Sequence, residues 1–231
     1  MICNSARHSG IASGDTHIIS GSCSFIGGGY INIVSGNYSS VSSGYDSIVA
    51  TGFSFIGGGC LNYVCNNGNY SAIVGGTHNC ITNAYTFIGG GYCNTASGNY
   101  SNVGGGFMNV ASANSSNVAG GSNNTASGNC SAVAGGCGNV ADSDYSAILG
   151  GKGNFTNNQA CSFIVGQNII ATQPNYTYVN NLSSLGTVAA ANITINKAPI
   201  TFTNPVTASG TFLTININGV NKAIQLWDYS S

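Results

Sequence analysis

A serine or threonine recurs at Ser9, Ser24, Ser39, Ser54, Ser71, Thr86, Ser101, Ser116, Ser131, Ser146 and Ser162, at steps of 15 residues apart from one of 17 and one of 16. Two residues after every start stands a β-branched aliphatic residue: Ile11, Ile26, Val41, Ile56, Ile73, Ile88, Val103, Val118, Val133, Ile148 and Ile164. A unit this short cannot bury its own apolar face. It becomes stable only by stacking on copies of itself, which share one continuous core. The period therefore predicts a β-solenoid whose core is these eleven Ile and Val residues.

Further columns keep the same register. The fifth position is glycine from Gly28 to Gly166, with Ser13 and Ser43 as exceptions. The ninth is asparagine at Asn32, Asn62, Asn79, Asn94, Asn109, Asn124, Asn139 and Asn154. The eleventh is small or β-branched, from Ile19 and Val34 to Ala126 and Ala141. The unit reads as two short strands and two turns. The glycines allow positive φ or close backbone approach at one corner, and Ser-Gly-Asn turns the chain back at the other. Coils stacked at about 4.8 Å make a rod roughly 50 Å long, with asparagine above asparagine.

Composition supports this reading and removes several others. Of all residues 42% are hydrophobic, only 4% are charged, no glutamate occurs, and the net charge is −1. That leaves no basic footprint for nucleic acid and no run long enough for a membrane-crossing helix. The N-terminal Met1 to Arg7 has no apolar signal-peptide core. Titratable residues are sparse, and no catalytic, cofactor-binding or metal-binding site is expected. Asp142 and Asp144 read as solvated corner charges, and the glycine triplets as architecture rather than phosphate loops. Register does place His78, Cys93 and Met108 in one corner column with Cys80 nearby, a soft-ligand grouping. The same column also holds Ile31, Asp46 and Leu61, which marks it as a variable corner.

The stretches Ser24-Phe-Ile-Gly-Gly-Gly-Tyr-Ile-Asn32 and Ser101-Asn-Val-Gly-Gly-Gly-Phe-Met-Asn109 resemble the head repeats of trimeric autotransporter adhesins, and similar repeats occur in phage and large-virus fibre proteins. The resemblance covers 9–168. It implies an all-β, left-handed parallel β-roll assembled as a homotrimer, with adhesion or display as its function. One departure is that the family places Ile three residues after the serine, whereas here it stands two after. The family's anchor and coiled-coil stalk are not seen in this chain. The missing signal peptide and the nine cysteines favour a virus or phage particle over a bacterial adhesin head fragment. A receptor on the host surface is the implied partner, and the virion surface the implied location. An ice-binding solenoid would want a regular threonine ladder, and a polysaccharide-processing enzyme would want clustered carboxylates. Neither pattern is present.

Two aromatic columns lie off the core. Tyr38, Phe53, Tyr70, Tyr85, Tyr100 and Tyr145 precede the starts, interleaved with Cys23, Cys130 and Cys161. Phe25, Phe55, Phe87 and Phe163 stand two residues later. Strand alternation points them away from the core, and an apolar outer face usually marks an interface. These ten aromatics are the expected trimer contact. The cysteines fall out of register: Cys60 and Cys137 share a column but lie coils apart, Cys65, Cys80 and Cys93 occupy three columns, and Cys3 lies outside the repeat. Hence no disulfide within a chain is expected.

The domain reading is a lead-in over 1–8, eleven coils over 9–168, and a β-rich neck over 169–210 carrying Pro174, Pro199 and Pro205. A hairpin follows over 211–231 around Asn218-Gly219, a natural cap for the last coil.

Overall fold

The computed structural model describes residues 1–2, 6–65 and 67–180, and the backbone of Phe212–Ile217 and Val220–Gln225. Its contacts divide into two units, 1–182 and 183–231. Among the described residues there is no helix.

The first unit is a parallel β-solenoid of about eleven turns with coils about 15 residues apart. One ladder of twelve short strands runs from Gly10–Ile11 to Thr177–Val179. Its register pairs Ile11 with Ile26, Ile26 with Val41, and onward without slippage to Ile148 with Ile164. A second ladder of nine strands runs from Ile18–Ile19 to Val140–Ala141. A third, thinner ladder crosses the glycine corner, through Tyr30, Tyr45, Cys60, Thr77, Tyr92 and Phe107. The two strands read from the sequence thus form the main walls, and the corner adds its own row of bridges.

Each coil buries two polar-x-apolar pairs, for example Ser24 with Ile26 and Asn32 with Val34. The core is therefore only one side chain deep from each wall. From Ile26 to Ile164 the Ile/Val column is buried at 1% exposure or less. Ile11, in the first coil, is partly buried against the same core. The facing column shrinks along the rod, from Ile19 and Val34 to Ala96, Ala111, Ala126 and Ala141, all fully buried.

The backbone explains why serine and asparagine recur. In the walls, N–H groups reach forward to the next coil, as Phe25 does to the Ser39 carbonyl at 3.0 Å. At two corners per coil a residue sits in the left-handed region, and it is glycine there only at Gly138 and Gly153; Tyr38 at φ 55° and Ile31 at φ 56° are examples. There the N–H reaches back instead, from Tyr38 to the Ser22 carbonyl at 2.9 Å and from Ile31 to the Asp15 carbonyl at 3.1 Å. The next N–H also points back and takes a side-chain acceptor. Asn94 N–H donates to Asn79 Oδ1 and Asn109 N–H to Asn94 Oδ1, both at 3.0 Å. Ser54 N–H donates likewise to Ser39 Oγ at 3.0 Å. Left-handed residues cost roughly 1–2 kcal/mol each, and these bonds between coils hold them there. His17 fills the asparagine position in the first coil, its Nδ1 accepting from Asn32 N–H at 3.1 Å.

The last glycine of each triplet is required. Gly91 has φ +90°, and a Cβ there would stand 2.1 Å from the Gly106 carbonyl oxygen and 2.7 Å from Asn94 Nδ2.

The coil register runs beyond the sequence repeat at both ends. Ile2 bridges to Ile19 in the second ladder, and Cys23 N–H donates to the Arg7 carbonyl at 2.8 Å. After Asn168 one more coil is laid down, with Ala171 buried and Tyr178 paired with Ile164. Tyr178 takes the place of Ile/Val because its hydroxyl has partners: it accepts from Thr172 and Gln173 N–H and donates to the Gln173 carbonyl.

In the second unit, Phe212–Ile217 pairs antiparallel with Val220–Gln225, with Ile217 opposite Val220. That register leaves two residues for the turn, as an Asn-Gly hairpin requires. Asn218 and Gly219 themselves lie outside the described residues, as does most of the neck over 169–210.

Candidate functional site

With both walls packed inward, the outer columns are the surface available for function. The aromatics expected to face away from the core do so. Phe25, Phe55 and Phe87 are 38–47% exposed, and Tyr38, Phe53, Tyr70, Tyr85, Tyr100 and Tyr145 are 51–67% exposed. Phe163 is half-buried. The structure separates them into two surfaces. The phenylalanines stand on the outside of the first ladder, divided by Ser40, Ala72, Asn102, Asn117, Ala132 and Ala147.

The tyrosine column stands at the corner, and its rings stack. Centroid separations along Tyr38, Phe53, Tyr70, Tyr85 and Tyr100 are 4.9, 4.8, 5.1 and 5.0 Å, with interplanar angles of 4° to 8°. Each ring sits on a left-handed residue, φ 55° to 59°. The residue after each of these five is a buried Ser or Thr. Ring spacing is thus imposed by the coil. A shallow groove of about 530 Å3 runs beside Tyr38, Phe53 and Tyr70, floored by Ser35, Gly36, Ala50, Thr51 and Gly52.

Two columns escaped the sequence reading. Tyr30 stacks on Tyr45 at 5.7 Å and Tyr92 on Phe107 at 5.5 Å, on the third ladder. The outside of the second ladder carries Ile18, Ile33, Ile48, Tyr63, Cys80, Thr95, Val110, Thr125, Val140, Phe155 and Ile170. No position in it is charged, and none is Gly, Ser or Asn. From Ile18 to Val140 each stands one residue before the eleventh position of its unit, where only the inward-facing neighbour was followed.

The corner column of His78, Cys93 and Met108 forms as read, each residue left-handed at φ 57°, 54° and 53°. No group of three or more His, Cys, Asp or Glu suited to a metal ion occurs among the described residues. Asp142 and Asp144 are not merely solvated charges. Asp142 Oδ1 accepts from Thr156 Oγ1 at 2.7 Å and Asn158 N–H at 3.0 Å, and Asp144 Oδ1 accepts from Asn129 N–H at 2.7 Å. Both carboxylates tie neighbouring coils together.

The eight cysteines among the described residues are free thiols. Burial, and then the neighbouring Cys65, pushes the Cys80 thiol up to about 11. The thiolate is the reactive form, so Cys80 holds on the order of 100-fold less of it at pH 8 than an ordinary cysteine. Peptide mapping after iodoacetamide at pH 8 is expected to show exposed Cys130 labelled well before Cys80, with Cys80 catching up as pH nears 11. Equal rates at pH 8 would contradict this placement.

No family model matches the chain, and no curated protein matches it.

Proposed function

We propose that this chain is the stacked shaft or head of a homotrimeric fibre displayed on a virus or phage particle, where it binds or presents to a host surface. The observation that carries the reading is the uncharged, mostly apolar column outside the second ladder. A free-standing rod has no use for eleven uncharged, mostly apolar positions in register on one face. A second supporting feature is the thinness of the core. With one side chain from each wall, and only alanine on one side of several coils, each coil gains little from its own interior. Packing wall against wall between chains adds the missing burial.

The interface is assigned to the second ladder rather than to the aromatics expected from the sequence. Polar and small residues break up the phenylalanine column, and the tyrosine column lies on a corner, a narrow edge rather than a wall.

Sedimentation of two double variants separates the alternatives. Ile48→Asp with Val110→Asp places charges on the second wall, where a packed interface would leave them dry and unpaired. This protein is expected to sediment as single chains with an intact β spectrum. Phe55→Asp with Phe87→Asp is expected to remain assembled. The reverse pattern would move the interface to the first wall. Assembly unchanged in both would remove this basis for the trimer.

A further inference from the structure

We propose that the groove beside Tyr38, Phe53 and Tyr70 is a docking site for one strand of a neutral, extended β-linked polysaccharide, lying parallel to the rod with one sugar per coil. This rests on the reading above and gives the host-surface ligand a chemical class.

The argument begins with what the ladder offers. Because the rings stack within 8° of parallel, their faces cover one another and only their edges reach solvent. Aromatic edges carry the positive end of the ring quadrupole, so an oxygen atom meets them favourably. Tyr38, Tyr70, Tyr85 and Tyr100 are half-exposed or more. Their hydroxyls have no hydrogen-bond partner among the described residues, which repeats an unused polar group along the rod. Beside them, Asn37 and Asn69 each spend the amide oxygen on a backbone N–H of the preceding coil, Ser22 at 2.8 Å and Gly52 at 2.9 Å. The amide nitrogens are left as donors.

Charge and period then select the ligand. Every residue lining the groove is neutral. An anionic or cationic polymer would shed hydration there without gaining an ion pair. The rings recur every 4.8 to 5.1 Å, and because Phe53 carries no hydroxyl, the groove's donors on Asn37 and Tyr38 and on Asn69 and Tyr70 stand two coils apart. An extended β-linked pyranose chain advances by about 5 Å per sugar, the same length as the strand spacing that sets the coil rise. Successive sugars are turned over, so every second sugar, about 10 Å on, presents the same groups, which matches the two-coil separation of the donors on Tyr38 and Tyr70. The ladder is held by left-handed corners and its own stacking, so little freedom is lost on binding.

Titration calorimetry of the full-length protein with cellohexaose, and with a hyaluronan hexasaccharide as the charged comparison, tests this. Saturable binding is expected for cellohexaose alone. The variant Tyr38→Phe, Tyr70→Phe keeps the stacking and removes both hydroxyls that line the groove, and it is expected to bind roughly tenfold more weakly or worse. Tyr38→Ala with Tyr70→Ala is expected to abolish binding. Failure of cellohexaose to bind, equal binding of the charged sugar, or unchanged affinity in the phenylalanine variant would overturn the proposal. Sedimentation of the same samples distinguishes the two readings. An assembled protein that ignores the sugar keeps the fibre and loses this site, a single-chain wild type loses the fibre reading, and ladder variants that fall apart would make a second copy the occupant of the groove.

Discussion

Ile88→Asp is expected to destabilise the protein by about 4 kcal/mol or more, because it places an unpaired charge in a dry core. Ile88 is fully buried, paired with Ile73 on one side and Val103 on the other. The coil has no second layer into which the carboxylate can turn. Stability in a solenoid is approximately a sum of nearest-neighbour interfaces, and this substitution damages two of them in the middle of the rod. The adjacent residue supplies the control. Phe87 lies in the same two-residue strand but is 42% exposed, so Phe87→Asp is expected to cost about 1 kcal/mol or less. Thermal unfolding of the two variants reads the difference directly. A lower melting temperature for Phe87→Asp than for Ile88→Asp would mean that the inward and outward positions have been exchanged, and equal values would contradict the burial difference.

Asn94→Leu is expected to be nearly as damaging, for the opposite reason. Leucine matches asparagine in size but satisfies none of its partners. Asn94 Nδ2 donates to the Gly90 carbonyl at 2.8 Å, the Gly106 carbonyl at 3.0 Å and Asn79 Oδ1 at 3.1 Å, while its Oδ1 accepts from Asn109 N–H. Each buried group left without a partner costs about 1–3 kcal/mol, so a total of about 3 kcal/mol or more is expected. The change should also loosen both adjacent coils, because Asn94 lies between Asn79 and Asn109. Hydrogen exchange would show it as faster exchange of the Asn109 amide, ahead of amides near Ile26. A variant as stable as the parent, with Asn109 still protected, would remove the asparagine ladder from the account.

The contrast between these two residues shows what the sequence could and could not disclose. Ile88 was legible because the core repeats a chemical class at a fixed interval, and eleven coincidences of Ile or Val need no knowledge of the backbone. The asparagine column was legible as a recurring residue, stacked asparagine above asparagine. Its cause was hidden in the backbone. Nothing in Tyr38, Phe53 or Met108 marks them as left-handed, since bulky residues disfavour that region. The coils impose it by supplying a carbonyl in the preceding turn, a tertiary effect overriding local preference. The same applies to the ends. Ala171 and Tyr178 break the repeat as letters but keep it as structure, because one is small enough and the other can satisfy its own hydroxyl. The second-ladder wall was missed for a simpler reason: at that position Ile18, Tyr63, Cys80 and Thr125 share no single residue type, and only the pairing of strands shows them as one surface.

Assembly is the central claim, and the native mass of the purified protein tests it most directly. One chain has a mass of 23.2 kDa. Sedimentation equilibrium at low micromolar concentration is expected to give three chains, about 70 kDa as three times that value. A mass of 23.2 kDa that stays constant as concentration rises would contradict the account.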